Sequence, residues 1–207
     1  RSRNKDAKVL LIVPASLLGN WGRECMKFTP ELDFSIRHGK DAKKKDFPFL
    51  TIVTYQGAAT SASIKEEKWD LVILDEAQNI KNRNTKQTKA IKALERKQAI
   101  AMTGTPIENS LMNLWSIFDF LSPGLLGDEK DFESFSDSLG GDKMDNLKKV
   151  VTPFILRRLK TDKSIINDLP EKVENELMVS LTPEQRVLYN KVVDEYEEAR
   201  QRKEETG

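Results

Sequence analysis

The chain has 207 residues, enough to bury a core and to carry an appendage beside one domain. Its 34 Lys and Arg offset 33 Asp and Glu at a formal net charge of +1, so net charge singles out neither nucleic acid nor an acidic partner. The single cysteine, Cys25, excludes an internal disulfide and suits a reducing compartment. No apolar run approaches the ~18 residues of a membrane span and no secretory signal is present, as expected of a soluble intracellular protein.

After a polar start, the run from Lys8 through Val13 is continuously apolar and predicts a strand buried on both faces, broken at Pro14. Ser16 is placed to cap a helix over roughly 17–28, with Cys25, Trp21 and Phe28 facing the core. The block from Pro14 to Trp21 sets a hydroxyl and backbone N–H groups at a helix N-terminus. That suits a phosphate of DNA or nucleotide; an ordinary N-cap uses the same residues, and both readings stay open. Residues 34–38 alternate as a short strand. His38 is the only histidine and has no cysteine near it, which argues against a metal there. Residues 39–46, with Lys43, Lys44 and Lys45, read as a solvated loop. A third strand over 49–54 leads through Tyr55 and Gln56 into a helix toward Glu67.

Trp69-Asp70-Leu71-Val72-Ile73-Leu74-Asp75-Glu76-Ala77-Gln78 is the stretch on which the rest depends. Four consecutive aliphatics predict a strand buried on both faces, of the kind found inside a parallel sheet. In an open α/β sheet the ligand crevice lies at the carboxyl ends of the strands, where Asp75 and Glu76 fall. A hydrophobic strand ending in Asp-Glu is the Walker B arrangement: the aspartate holds Mg²⁺ and the glutamate orients a water against a phosphate. Two solvated acids closing a strand are the bland alternative. Residues 79–84 then form a polar turn with Lys81 and Arg83, and a helix over 85–95 presents Lys86, Lys89 and Lys92 as a solvated basic face. A strand over 98–102 ends in Thr103-Gly104-Thr105-Pro106, a tight turn with short polar arms. Ser110 caps an amphipathic helix that buries Leu111, Leu114, Trp115, Phe118 and Leu121.

Taken in order, four blocks carry a resemblance: Ile12 to Trp21, Val53-Thr54-Tyr55, Leu74 to Asn82 (LDEAQNIKN) and Met102 to Asn109 (MTGTPIEN). With Leu114 to Ile117, Phe154 to Lys160 (FILRRLK) and Leu169 to Glu174 (LPEKVE), they extend it along nearly the whole chain. The sequence resembles the SWI/SNF-type ATPases of helicase superfamily 2. The resemblance implies a RecA-like first lobe, an α/β fold with a mostly parallel sheet flanked by helices and a helical insertion, in a motor that hydrolyses Mg-ATP while tracking along double-stranded DNA. Asp75, Glu76 and Gln78 would be catalytic, with Asp75 and Glu76 holding Mg²⁺ only together with nucleotide. Thr103, Gly104 and Thr105 would couple hydrolysis to the grip on DNA. Ser16, Asn20, Trp21, Thr54, Tyr55, Lys81 and Asn82 would meet DNA phosphates along one rim. Arg157 and Arg158 would pack or pair where a protrusion joins the lobe, with at least one reaching DNA or the second lobe. Gln78 departs from the pattern, since many relatives carry histidine there; a neutral amide can still bridge the two loops by hydrogen bonds.

No G-x-x-x-x-G-K-[ST] occurs; Gly39-Lys40 is followed by Asp41. The phosphate-cradling loop is therefore expected before Lys8, and the second lobe with its arginine finger after residue 207. The expected division is a lobe core over 1–121, a helical protrusion over 122–170, a strand returning to the sheet over 171–181 and a linker helix over 182–207. Within it, Phe132, Phe135 and Leu139 mark a short helix closed by Gly140 and Gly141, and a second helix runs over 143–150. Thr182-Pro183-Glu184-Gln185 is a capping box with proline at the first helical position. An RNA helicase of the same superfamily is disfavoured by the blocks around Arg157 and Pro170. The rival from another class is a binding module for DNA or protein without turnover. The compact insertion resembles bacterial or archaeal members, which places the protein in the cytoplasm or nucleoid; a eukaryotic source would make it nuclear.

Overall fold

The computed structural model describes residues 7–38, 46–105, 110–138, 140–158 and 176–205. It falls into two units, residues 1–150 and 151–207. In the first, five parallel strands, β1 (Val9–Val13), β2 (Phe34–Arg37), β3 (Leu50–Thr54), β4 (Trp69–Leu74) and β5 (Arg96–Ala101), form one sheet in the order β2-β3-β1-β4-β5. β3, β1 and β4, the most apolar strands, occupy its centre, where both faces need cover, and the more polar segments form its edges. β1 illustrates the rule: Leu10 and Ile12 enter one buried cluster, while Val9, Leu11 and Val13 enter the cluster on the other face.

The chain leaves β1 toward one face and leaves β3 and β4 toward the other. Helix α1 (Leu18–Phe28) packs Leu18, Trp21 and Cys25 against the face lined by Val9, Leu11, Val13 and Ile52. Helices α2 (Tyr55–Thr60), α3 (Ala62–Glu66), α4 (Lys86–Lys92) and α5 (Leu111–Leu121) supply Tyr55, Ala58, Ile64, Ile91 and Phe120 to the opposite face. Since β1 and β4 are neighbours whose connections part to opposite faces, their carboxyl ends bound the crevice where ligands of open α/β sheets are found.

Several local expectations are corrected. β4 buries Trp69, Val72 and Leu74, but Leu71 and Ile73 on its other face are only partly covered, so it is not enclosed on both sides. Ser16 makes no cap bond: it lies inside a 3-10 turn over Ala15–Leu17, and α1 begins after it. Phe28, at the end of α1, is 66% exposed rather than in the core. The helix after β3 is broken at Ser61, which is extended, into α2 and α3. Lys92 is not part of a solvated face; its Nζ pairs with Asp119 at 2.9 Å and lies over the Trp115 ring. The cap by Ser110, whose hydroxyl accepts from the Met112 N–H, is present, and Leu114, Trp115 and Phe118 are buried.

Helix α6 (Glu129–Asp137) buries Phe132 and half-buries Phe135, and is followed by α7 (Gly141–Val151). In the second unit, a 3-10 turn over Thr152–Phe154 precedes an irregular stretch, and α8 spans Pro183–Glu205. Thr182 and Gln185 form the expected capping box: the Gln185 N–H donates to Thr182 Oγ1 and the Thr182 N–H to Gln185 Oε1. Residues 176–181 carry no strand, so the expected return to the sheet is not found in its described part. Lys43 to Lys45, residues 106–109, Leu139 and residues 159–175, which include the Leu169 to Glu174 block and the start of the expected strand, lie outside the described residues.

Candidate functional site

Asp75 and Glu76 follow directly on β4, and β1 and β5 tie down the turn they open. The Asp75 N–H donates to the Ile12 carbonyl at 2.8 Å, and the Ala77 N–H to the Met102 carbonyl, also at 2.8 Å. Glu76 has φ 53° and ψ 56°, the left-handed region, which costs a non-glycine residue about 1–2 kcal/mol. Such strain persists only where surrounding bonds fix it. Here Tyr55 Oη donates to the Asp75 carbonyl at 2.8 Å and approaches the Glu76 carbonyl at 3.3 Å, while Asn79 Nδ2 donates to the latter at 2.8 Å. One turn later the buried Ser116 hydroxyl of α5 donates to the Ile80 carbonyl at 2.6 Å.

The side chains form a directed chain. Thr103 Oγ1 donates to Gln78 Oε1 at 2.8 Å, and Gln78 Nε2 donates to Glu76 Oε2 at 2.7 Å. A carboxylate only accepts, so the amide must turn its nitrogen to Glu76 and its oxygen to the hydroxyl. The bridge expected of Gln78 is therefore present. A neutral histidine, with one donor and one acceptor nitrogen, would offer the same two hydrogen-bonding functions. Asp75 is held by two N–H groups: its Oδ1 accepts from the Glu76 backbone at 3.0 Å and its Oδ2 from Trp21 Nε1 of α1 at 2.7 Å.

Two open grooves flank this turn. One, of about 450 Å³, runs along α1 and is lined by Asn20, Trp21, Glu24, Phe28 and Asp75. The other, of about 520 Å³, lies at the carboxyl ends of β1, β2 and β3 and is lined by Pro14, His38, Thr54, Tyr55, Gln56, Asn79 and Gln87. Burial, and then the charge of Glu24, push the Cys25 thiol pKa up, which disfavours the thiolate.

Residues 1–207 match the family model described as the SNF2-related domain. The chain belongs to the SNF2-related domain family. It is 38% identical over 197 residues to the putative ATP-dependent helicase/translocase YwqA of Bacillus subtilis, covering 89% of this chain and 21% of that protein. It is 33% identical over 208 residues to the chromatin-remodeling ATPase INO80 of Schizosaccharomyces pombe, covering 87% of this chain and 13% of that one. The Sulfolobus solfataricus SWI2/SNF2 ATPase core in complex with dsDNA superposes with a TM-score of 0.74 at 42% identity, over 93% of this chain and 42% of that one. The sheet and its flanking helices are thus the RecA-like fold of the SNF2 core.

Set on this SNF2-type lobe, the residues read from the sequence separate into groups. Asp75, Glu76, Gln78 and Thr103 come together as one hydrogen-bonded unit. Thr105 joins them through its backbone N–H to Thr103 Oγ1, whereas Gly104 is exposed and has no positive φ to require glycine. Ser16, Asn20, Lys81 and Asn82 are exposed. Thr54 and Tyr55 differ. Thr54 Oγ1 caps α2 by accepting from the Gly57 N–H, and Tyr55 is 4% exposed with its hydroxyl donating to the Asp75 carbonyl and approaching that of Glu76. Trp21 is half-buried and its indole N–H meets Asp75 rather than solvent. Arg157 and Arg158 are exposed in an irregular stretch. Sequence reasoning missed Ser116, His38, Asn79 and Gln87 at this end of the sheet. His38 could have been found from its position just beyond the end of β2; Asn79 lies inside the 3-10 turn over Ala77–Ile80 and Ser116 mid-helix, and neither carries such a signal.

Proposed function

We propose that this chain is the first lobe of an ATP-dependent double-stranded DNA translocase of the SWI/SNF type. The observation that carries this reading is the hydrogen-bonded run Thr103–Gln78–Glu76 beside a separately anchored Asp75, all at the carboxyl ends of adjacent strands. The residues fit Mg²⁺ in the manner ATPases use. Asp75 offers a carboxylate with two of its roughly four acceptor sites taken, and no cluster of three or more metal ligands exists among the described residues. Mg²⁺ is usually held by one or two carboxylates together with substrate phosphates, not by a cage of protein ligands. When bound, it would offset phosphate charge.

In this reading Glu76 orients the attacking water and accepts its proton, and Gln78 keeps the Glu76 carboxylate aimed. Because Gln78 also receives the Thr103 hydroxyl, a shift of the loop after β5 alters Glu76, and this is how DNA contact would reach the chemistry. Ser16, Asn20, Lys81 and Asn82 would meet DNA phosphates, giving binding that ignores sequence and weakens steeply with salt. Arg157 and Arg158 would add to the DNA or inter-lobe surface. Residues 1–207 contain no glycine-rich phosphate-cradling motif, so the isolated chain would be inactive, and both that loop and an arginine finger would be supplied by a larger protein.

Glu76→Gln in the full-length protein tests the assignment. ATP binding should stay near wild type and DNA-stimulated turnover fall about 10²–10⁴-fold, the usual cost of losing a positioned base. Hydrolysis at the wild-type rate would refute it. Absence of turnover in the unaltered full-length protein would favour a binding module.

A further inference from the structure

We propose that Trp21 is a positioning residue for Asp75, and that its indole N–H fixes the plane of the carboxylate that serves the metal–nucleotide complex. The inference rests on reading Asp75 as that carboxylate. The terminal torsion of an aspartate is broad, and a single bond from the next residue's N–H, at 3.0 Å, leaves the group free to swing. The Trp21 bond reaches the other oxygen from a different element, 54 residues away in sequence, at 2.7 Å. That length is typical of a charge-assisted N–H to carboxylate bond. An indole nitrogen only donates, so this bond has a fixed direction.

The surroundings favour this role over a contact with DNA. The Trp21 ring packs onto the cluster of Leu11, Val13 and Cys25, which fixes where its N–H points. A DNA phosphate approaching that N–H would lie within a few ångströms of the Asp75 charge and be repelled by it. Both oxygens keep acceptor sites, and the groove shared by Trp21, Asn20, Glu24 and Asp75 leaves an open approach to the carboxylate. Trp21 would thereby join α1, whose first turns carry Asn20 on the exposed rim, to the metal carboxylate.

The test measures ADP affinity by calorimetry at a series of Mg²⁺ concentrations in the full-length protein, for wild type, Trp21→Phe and Asp75→Asn. Phenylalanine keeps an apolar ring and removes the donor. Bonds to a ligand carboxylate usually contribute about 10–100-fold in metal affinity, so Trp21→Phe should lose about that much of the Mg²⁺-dependent gain in ADP affinity. Its affinity for ADP without Mg²⁺ and for double-stranded DNA should be unchanged. A purely structural tryptophan would lower all of these together. Benzothienylalanine at position 21 replaces N–H by sulfur in a ring of the same shape, so the measurement survives if the phenylalanine variant fails to fold. A Mg²⁺-dependent gain within about twofold of wild type in the Trp21 variants, against its loss in Asp75→Asn, overturns this inference alone. Retention in Asp75→Asn as well overturns the reading of Asp75 and this inference with it. A fall in DNA affinity with the Mg²⁺ effect intact makes Trp21 a DNA contact and also overturns it.

Discussion

Tyr55 shows most plainly what a single side chain does at this site. It looks in sequence like a rim residue following a strand, yet it is buried and its hydroxyl donates to the backbone of the acidic pair. Burial, and then the charges of Asp75 and Glu76, push its pKa well above the ordinary value of 10.0, so it remains a donor throughout the physiological range. The proton is held more tightly in the folded than in the unfolded state. Stability from this group is therefore complete below the ordinary value of 10.0 and drains away as pH rises beyond it. Tyr55→Phe should cost about 1–3 kcal/mol near neutral pH, the range for orphaning a buried polar partner. In urea unfolding the gap between wild type and variant should narrow between about pH 8 and about pH 11, and a gap that widens would contradict the assignment.

At the scale of elements, the close approach of α2 to β3 depends on Gly57. A Cβ there would come within 2.7 Å of Val53 Cγ2 and 3.1 Å of Thr54 Oγ1, and valine is stiff at χ1 and fully buried here. Gly57→Ala should destabilise by about 1–3 kcal/mol through overpacking. Gly104→Ala, where a Cβ meets nothing within 4 Å, should change the melting free energy by less than about 0.5 kcal/mol. Equal costs for the two would show that α2 has slack against β3. The contrast marks the limit of what was legible. The strands β1, β3 and β4 and the caps by Ser110 and Thr182 are local patterns, and they read correctly from sequence. Whether Trp21 or Tyr55 points inward, whether Lys92 finds Asp119, and which face of β4 is left partly open depend on partners distant in sequence. No periodicity encodes those.

For the molecule as a whole, the proposed function sets the hydrolytic carboxylates of an ATP site on a chain that contains no glycine-rich phosphate-binding motif. Asp75 and Glu76 alone present two negative charges to a strongly negative ligand, and Mg²⁺ gives up its water reluctantly unless phosphates share it. Affinity in such lobes comes largely from a glycine-rich loop and its lysine, and residues 1–207 contain no such motif. The chain spans only 21% of the length of YwqA. Titration calorimetry of Mg-ATP into the isolated 207-residue chain is the most direct measurement. No saturable heat at micromolar concentrations and no hydrolysis in the calorimeter cell are expected; a stoichiometric micromolar isotherm would show that another part of the chain grips the phosphates.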